Sequence, residues 1–286
     1  MTHREAIAEG ERVGSEYLLV PPRTVLSGAI GARIGGRSGG SLEFRDHRDY
    51  EPGDDLRHLD WSIFARTDRL TVKQYHEEIS LFLDLIVDGS RSMALGVKAR
   101  AALALAALFA SAARTAGLQY ALRLARADLE LVSRGAARPT EWRDFGFDYA
   151  GTPAAAVAAG GGTLRPLSVR VFISDLLWPG EPQAVAAALG HGAAAVVIVQ
   201  LMAADEVDPD LRGGWRLVDV ESGDFSDVLL DAGALSQYRD ALARHRALWD
   251  DAARGVRALV VRGVAEEVGR QLVFDELAAA DILRPA

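Results

Sequence analysis

Leu83-Asp84-Leu85-Ile86-Val87-Asp88-Gly89-Ser90-Arg91-Ser92-Met93 is the stretch that decides the fold. A largely apolar run over 81–87 stops on a carboxylate, a glycine and two hydroxyls. A short apolar run bounded in this way reads as a strand covered on both faces. Working outward, 98–116 carries helical patterning, and 118–124 is again a short apolar run. Further strands are predicted at 169–174, 194–201 and 256–261, and further helices at 153–159, 182–189, 235–253 and 265–280. Pro153 and Pro182 suit the first turns of their helices. Strands alternating with helices predict an α/β fold with a doubly wound parallel sheet. One interruption, 215–230, reads as a hairpin turning at Glu221-Ser222-Gly223-Asp224. In such sheets ligands lie beyond the carboxyl ends of the strands.

Two strand ends carry chemistry. Asp88, Ser90 and Ser92 alternate after the first core strand, so a tight loop can aim all three side chains at one centre, and Gly89 permits the turn. Asp175 follows the strand ending at Ser174. Carboxylate and hydroxyl oxygens are hard ligands, suited to Mg²⁺ or Mn²⁺ rather than zinc. The plainer alternative is that Asp and Ser after a strand cap a helix or close a turn. Two enzymatic readings are weak. A phosphatase using Asp88 as nucleophile would want a second carboxylate at position 90, where serine stands. A serine hydrolase would want a Gly-x-Ser-x-Gly elbow and a histidine base, and neither His191 nor His245 is placed for that role.

Asp88-x-Ser90-x-Ser92, following Leu83–Val87, resembles the metal-ion-dependent adhesion site of von Willebrand factor type A domains, a doubly wound Rossmann-like family. The resemblance implies a metal ligand set of Asp88, Ser90, Ser92, a threonine and Asp175. Thr152 fits the family order of threonine, helix, strand, aspartate. Thr163, after the Gly160–Gly162 run, leaves no room for the helix. Upstream, Arg48-x-Tyr50-x-x-Gly53-Asp54-Asp55-x-Arg57-x-x-Asp60-Trp61 resembles the hallmark of the domain of unknown function 58 family. Ala65-Arg66, Leu70, Val72-Lys73, Tyr75-His76-Glu77-Glu78 and Asp219-Val220-Glu221-Ser222-Gly223 fit the same pattern. The resemblance implies an N-terminal extension over 1–79 and a von Willebrand factor A-like domain over 80–286. It further implies a non-enzymatic, Mg²⁺- or Mn²⁺-dependent protein-interaction module partnered by a MoxR-type AAA+ ATPase, with the metal accepting an acidic side chain from the partner. The competing expectations are a Mg²⁺-dependent phosphatase or hydrolase using Asp88, and a scaffold with a degenerate metal site.

Composition sets the outer bounds. The 286 residues are 49% hydrophobic and 25% charged, as in ordinary globular proteins. Cysteine is absent, which excludes disulfides, thiolate metal sites and a cysteine nucleophile. A net charge of −8 argues against a nucleic-acid partner. No apolar run reaches the about 20 residues a membrane span needs. The polar N-terminus lacks a signal-peptide core, so a cytoplasmic location is expected. Lysine stands only at Lys73 and Lys98. In the Tyr50–Trp61 block, Trp61 is expected as a buried anchor within an Arg–carboxylate network. The Gly28–Gly40 segment lacks the Gly-Lys-Ser/Thr of a P-loop and reads as a flexible loop with Arg33 and Arg37 solvated. Trp178 is expected either at the rim of the metal site or packed under the following helix.

Overall fold

The computed structural model describes residues 2–20, 42–52, 54, 59–77, 81–268, 271–272, 277, 279–280 and 282–286. Strand β4 (Phe82–Asp88) is buried along its whole length. Its alternate residues serve two cores. Leu83, Leu85 and Val87 face the Lys98–Thr115 helix, whereas Ile86 joins Phe172, Ile198, Val185, Leu189 and Trp249 on the other face. This is the period-two pattern of a strand sandwiched between helical layers.

Around it the sheet is mostly parallel. Strands β5 (Gln119–Ala125), β7 (Val169–Ser174), β8 (Ala195–Met202) and β11 (Leu259–Val264) run with β4, and β6 (Leu129–Gly135) closes one edge antiparallel to β5. The spatial order is β11-β8-β7-β4-β5-β6. Counting only sheet strands in chain order, this is the doubly wound order 3-2-1-4-5-6, whose switch point lies between β4 and β7. The expected helices appear at Lys98–Thr115, Ala154–Gly160, Gln183–Gly190 and Ala232–Gly255. Pro153 and Pro182 stand one residue earlier than expected, at the N-caps. The last of these helices runs to Gly255, and Arg257 turns the chain with a positive φ, so β11 begins three residues later than expected. Of the helix expected at 265–280, Ala265–Val268 is helical, and part of the remainder lies outside the described residues. Strands β9 (Gly213–Val218) and β10 (Phe225–Leu230) form the expected antiparallel hairpin.

The chain divides into two units, Met1–Ala32 with Leu81–Ala286, and Arg33–Ser80. The expected extension 1–79 is therefore split. The His3–Gly14 helix belongs to the larger unit, where it packs on Lys98–Thr115. Small residues permit this: a Cβ at Gly10 or Gly14 would run into the backbone carbonyl of Ala104 or Leu108. The helix is closed by a capping box, with Thr2 and Glu5 each accepting the other's amide. Just beyond it, β1 (Tyr17–Leu19) pairs with the C-terminal β12 (Leu283–Pro285). Pro21-Pro22 and the Gly28–Gly40 segment expected as a loop, with Arg33 and Arg37, lie outside the described residues.

In the smaller unit, β2 (Leu42–Asp49) pairs antiparallel with β3 (Thr71–Glu77). Asp60 caps the short Trp61–Thr67 helix through the amides of Ser62 and Ile63, at 2.9 and 3.2 Å. Trp61 is 60% exposed and edge-on to Phe64, so it is not the buried anchor expected. It is the first helical residue after the cap, just past the Leu59–Val72 bridge, and it stays exposed while Leu59, Asp60 and Val72 are buried. An Arg–carboxylate pair does exist in the block, between Arg48 and Asp54 at 2.5 Å. Gly53, Asp55, Arg57 and Glu78 lie outside the described residues. Among the described residues no helix is long and apolar enough to cross a membrane.

Candidate functional site

Strand β4 delivers Asp88 as its last residue, at the switch point and almost fully buried. The chain then stays pinned to β5, because the Gly89 amide donates to the Ala125 carbonyl at 2.9 Å. Gly89 does not adopt a left-handed backbone. Glycine is needed for space instead: a Cβ would sit 2.9 Å from the Cγ atoms of Leu124 and Arg126. This close approach turns the following residues back over the strand end. The Ser90 amide donates to Asp88 Oδ1 at 2.8 Å, and the Ser174 hydroxyl, from the end of β7, donates to Oδ2 at 2.6 Å. The Ser90 and Ser92 hydroxyls lie 3.0 Å apart. Among the described residues no Lys or Arg pairs with Asp88. Burial, and then the charge of Asp175, push its carboxyl up to about 6, against the pull of the Ser174 and Ser90 hydrogen bonds.

Asp175, one residue beyond β7, is equally buried but has its own cation. Lys98, fully buried at the start of its helix, donates to Asp175 Oδ2 at 2.9 Å and to Glu206 Oε1 at 2.5 Å. Burial alone would lower the Lys98 ammonium, but Asp175 and Glu206 together hold it above the usual lysine value. The other Asp175 oxygen accepts the Leu177 amide at 3.1 Å.

A second loop meets the first. Tyr149 pairs with Ser90 as an isolated parallel bridge, its amide donating to the Gly89 carbonyl and its carbonyl accepting from the Arg91 amide. Gly151 and Thr152 follow, and the Thr152 hydroxyl accepts the Ala154 amide at 3.2 Å, opening the Ala154–Gly160 helix. The turn of the β9–β10 hairpin ties the two loops together. One carboxylate oxygen of Glu221 accepts the Ser92 amide at 2.9 Å, and the other accepts the Gly151 amide at 3.1 Å.

The structure thus gathers Asp88, Ser90 and Ser92 on one loop. It brings the Gly151-Thr152 loop against them and sets Asp175 near enough for its charge to act on Asp88. Thr163 lies at the far end of the helix that Thr152 opens, where its hydroxyl donates to the Gly160 carbonyl. Trp178 packs edge-on against Trp249 and beside Phe172, in the core under the helices rather than at the rim. Among the described residues no three His, Cys, Asp or Glu side chains group as a metal cluster; the set here is mainly hydroxyl. Four participants went unassigned in the sequence: Lys98, Ser174, Glu206 and Glu221. Lys98 offered the clearest signal, as one of two lysines in a chain that otherwise uses arginine.

Residues 46–138 match the family described as "Protein of unknown function DUF58". That stretch includes Asp88, Ser90, Ser92 and Lys98. The chain is also 29% identical over 241 residues to the uncharacterized proteins Mb1516 of Mycobacterium bovis and Rv1480 of Mycobacterium tuberculosis, covering 79% of this chain and 75% of each relative. Among solved structures it is similar to BatB from Bacteroides thetaiotaomicron, at 12% identity and a TM-score of 0.38, covering 70% of this chain and 98% of that one. It is likewise similar to an aerotolerance-related membrane protein from Bacteroides fragilis, at 14% identity and a TM-score of 0.37, covering 70% and 95%.

Proposed function

We propose that this chain is a non-enzymatic protein-interaction module of the von Willebrand factor A type, whose strand-end loop takes a divalent cation, Mg²⁺ or Mn²⁺, and whose partner is a MoxR-type AAA+ ATPase in the cytoplasm. The observation that carries the reading is Asp88: a buried carboxylate at the switch point, held by N–H and O–H donors but with no counter-cation among the described residues. A buried charge in that condition is costly, and a cation bound beside it removes the cost. The adjacent donors fit a hard ion. Asp88, with the hydroxyls of Ser90, Ser92 and Thr152, would hold it. Asp175 would act through its charge or through bound water, since Lys98 already takes one of its oxygens. Bound there, such an ion supplies an exchangeable position for a carboxylate of the partner. Beyond its tip the hairpin exposes Trp215, Leu217, Val218, Phe225 and Leu229, and of these Trp215 and Phe225 are aromatics of the kind enriched at protein contacts.

Calorimetry with Mg²⁺ and with Mn²⁺ tests the metal. The native chain is expected to bind one ion and Asp88→Ala none; absence of binding to the native chain contradicts it. Co-purification with the ATPase, with and without chelator, tests the partner. Retention that chelator abolishes is the expected outcome, and retention indifferent to chelator contradicts the metal's part in it.

A further inference from the structure

Glu221 reaches the loops after β4 and before the Ala154–Gly160 helix from outside the sheet. It comes from the tip of the β9–β10 hairpin, and its position is built rather than incidental. Asp219 Oδ1 accepts the amides of Glu221 and Ser222 at 2.8 and 3.0 Å, and the Gly223 amide donates to the Asp219 carbonyl at 2.8 Å, so the tip is a closed turn that projects one side chain. That side chain uses both oxygens at once, on amides belonging to two separate loops, 129 and 70 residues away in sequence. Arg91 braces the tip by donating to the Glu221 carbonyl at 3.4 Å. Two converging backbone N–H groups are a receptor for a planar, two-oxygen anion. The Ser92 hydroxyl belongs to one of those loops and the Thr152 hydroxyl follows the other, so the receptor is built from the same two loops that carry the hydroxyls of the proposed cation site. The hairpin that supplies Glu221 is exposed on most of its residues. Its attachment at the tip therefore opposes little buried area when it lifts.

We infer that the amides of Ser92 and Gly151 form a carboxylate receptor that Glu221 fills from within the chain, and that an acidic side chain of a protein partner takes the same receptor when the hairpin tip lifts. The inference rests on the proposed function for the nature of that partner, but the receptor itself does not need the metal. Its experiment is therefore run in chelator.

Amide exchange at Ser92 and Gly151 is measured by ¹H–¹⁵N NMR in the full chain and in Glu221→Ala, with exchange along β4 and β7 as the check that the sheet is intact. Loss of a charge-assisted pair of hydrogen bonds is expected to speed exchange at both amides by about tenfold or more. Acetate, the probe for a carboxylate in trans, is expected to restore slow exchange in Glu221→Ala, whereas acetamide at the same concentration and ionic strength is not. Glu221→Gln, which keeps the length of the side chain but only one acceptor oxygen, should fall between the two. Unchanged exchange in Glu221→Ala overturns the inference, and so does equal rescue by acetate and acetamide. Failure of the native chain to bind Mg²⁺ or Mn²⁺ while acetate rescue holds would remove the metal reading and leave the receptor standing.

Discussion

Asp88 and Asp175 stand at the ends of neighbouring parallel strands, both buried, yet the protein treats their charges in opposite ways. Asp175 comes with a cation of its own, Lys98, which it shares with Glu206. Asp88, among the described residues, has hydroxyl and amide donors but no cation, and burial together with the charge of Asp175 raises its proton affinity. The difference teaches what a buried carboxylate at a strand end requires. Where the fold supplies a cation, the group is a structural element. Where no cation stands beside it among the described residues, hydroxyl and amide donors alone stabilise the charge, and under the proposed function a hard divalent cation would complete the balance.

The largest expected effect comes from erasing the difference. Lys98→Met leaves Asp175 and Glu206 without their cation, and removing one partner of a buried ion pair costs about 3–5 kcal/mol. Urea denaturation is the measurement, and Lys98→Met with Asp175→Asn should recover part of the loss. If Lys98→Met were as stable as the native chain, Lys98 would not be the resident cation described.

The next effect has the opposite sign. In the metal-free protein, folded Asp88 keeps its proton up to pH about 6, whereas the unfolded chain releases it near 3.8. The stability this carboxyl contributes is full below 3.8 and is lost as pH rises through 6. Asp88→Asn removes that loss, so without metal it should be more stable than the native chain by about 2–3 kcal/mol at pH 7, and by almost nothing at pH 4. Thermal melts across that range would show the gap opening with pH; a constant gap would argue against burial of the charge as its cause.

A smaller effect tests how the loop is placed. Gly89→Ala puts a methyl 2.9 Å from Leu124 and Arg126 side-chain atoms and 3.1 Å from the Ala125 carbonyl. Such overpacking costs about 1–3 kcal/mol, and it should displace Ser90 enough to weaken divalent-ion binding in calorimetry. Unchanged stability and binding would mean that the close approach to β5 does not position the loop.

Much of this arrangement is legible in the residues, within limits set by physics. Strand β7 reads at its observed bounds because Val169, Val171, Phe172 and Ile173 make a short apolar run interrupted only by Arg170, and Ser174 stops it. Edge strand β6 does not, because Leu129–Gly135 is half-exposed and mixes charge with leucine, a pattern that hairpins and loops share. The pairing of β1 with β12 joins three residues at each end of the chain and leaves no local trace. At the site, Asp88, Ser90, Ser92 and Asp175 are legible because strand ends in a doubly wound sheet are where ligands go. Lys98 is not, since the start of a helix says nothing about which strand end its ammonium meets. Gly89 is legible as special but for a different reason: the turn needs its missing Cβ, not its φ.

The most direct measurement follows the Asp88 carboxyl itself by ¹³C NMR through a pH titration, with and without Mg²⁺. Without the ion the carboxyl is expected to titrate near pH 6. With saturating Mg²⁺ its midpoint is expected to fall below the ordinary aspartate range, because the bound cation favours the charged form. A midpoint near 6 that Mg²⁺ leaves unmoved would contradict the claim that Asp88 awaits a divalent cation.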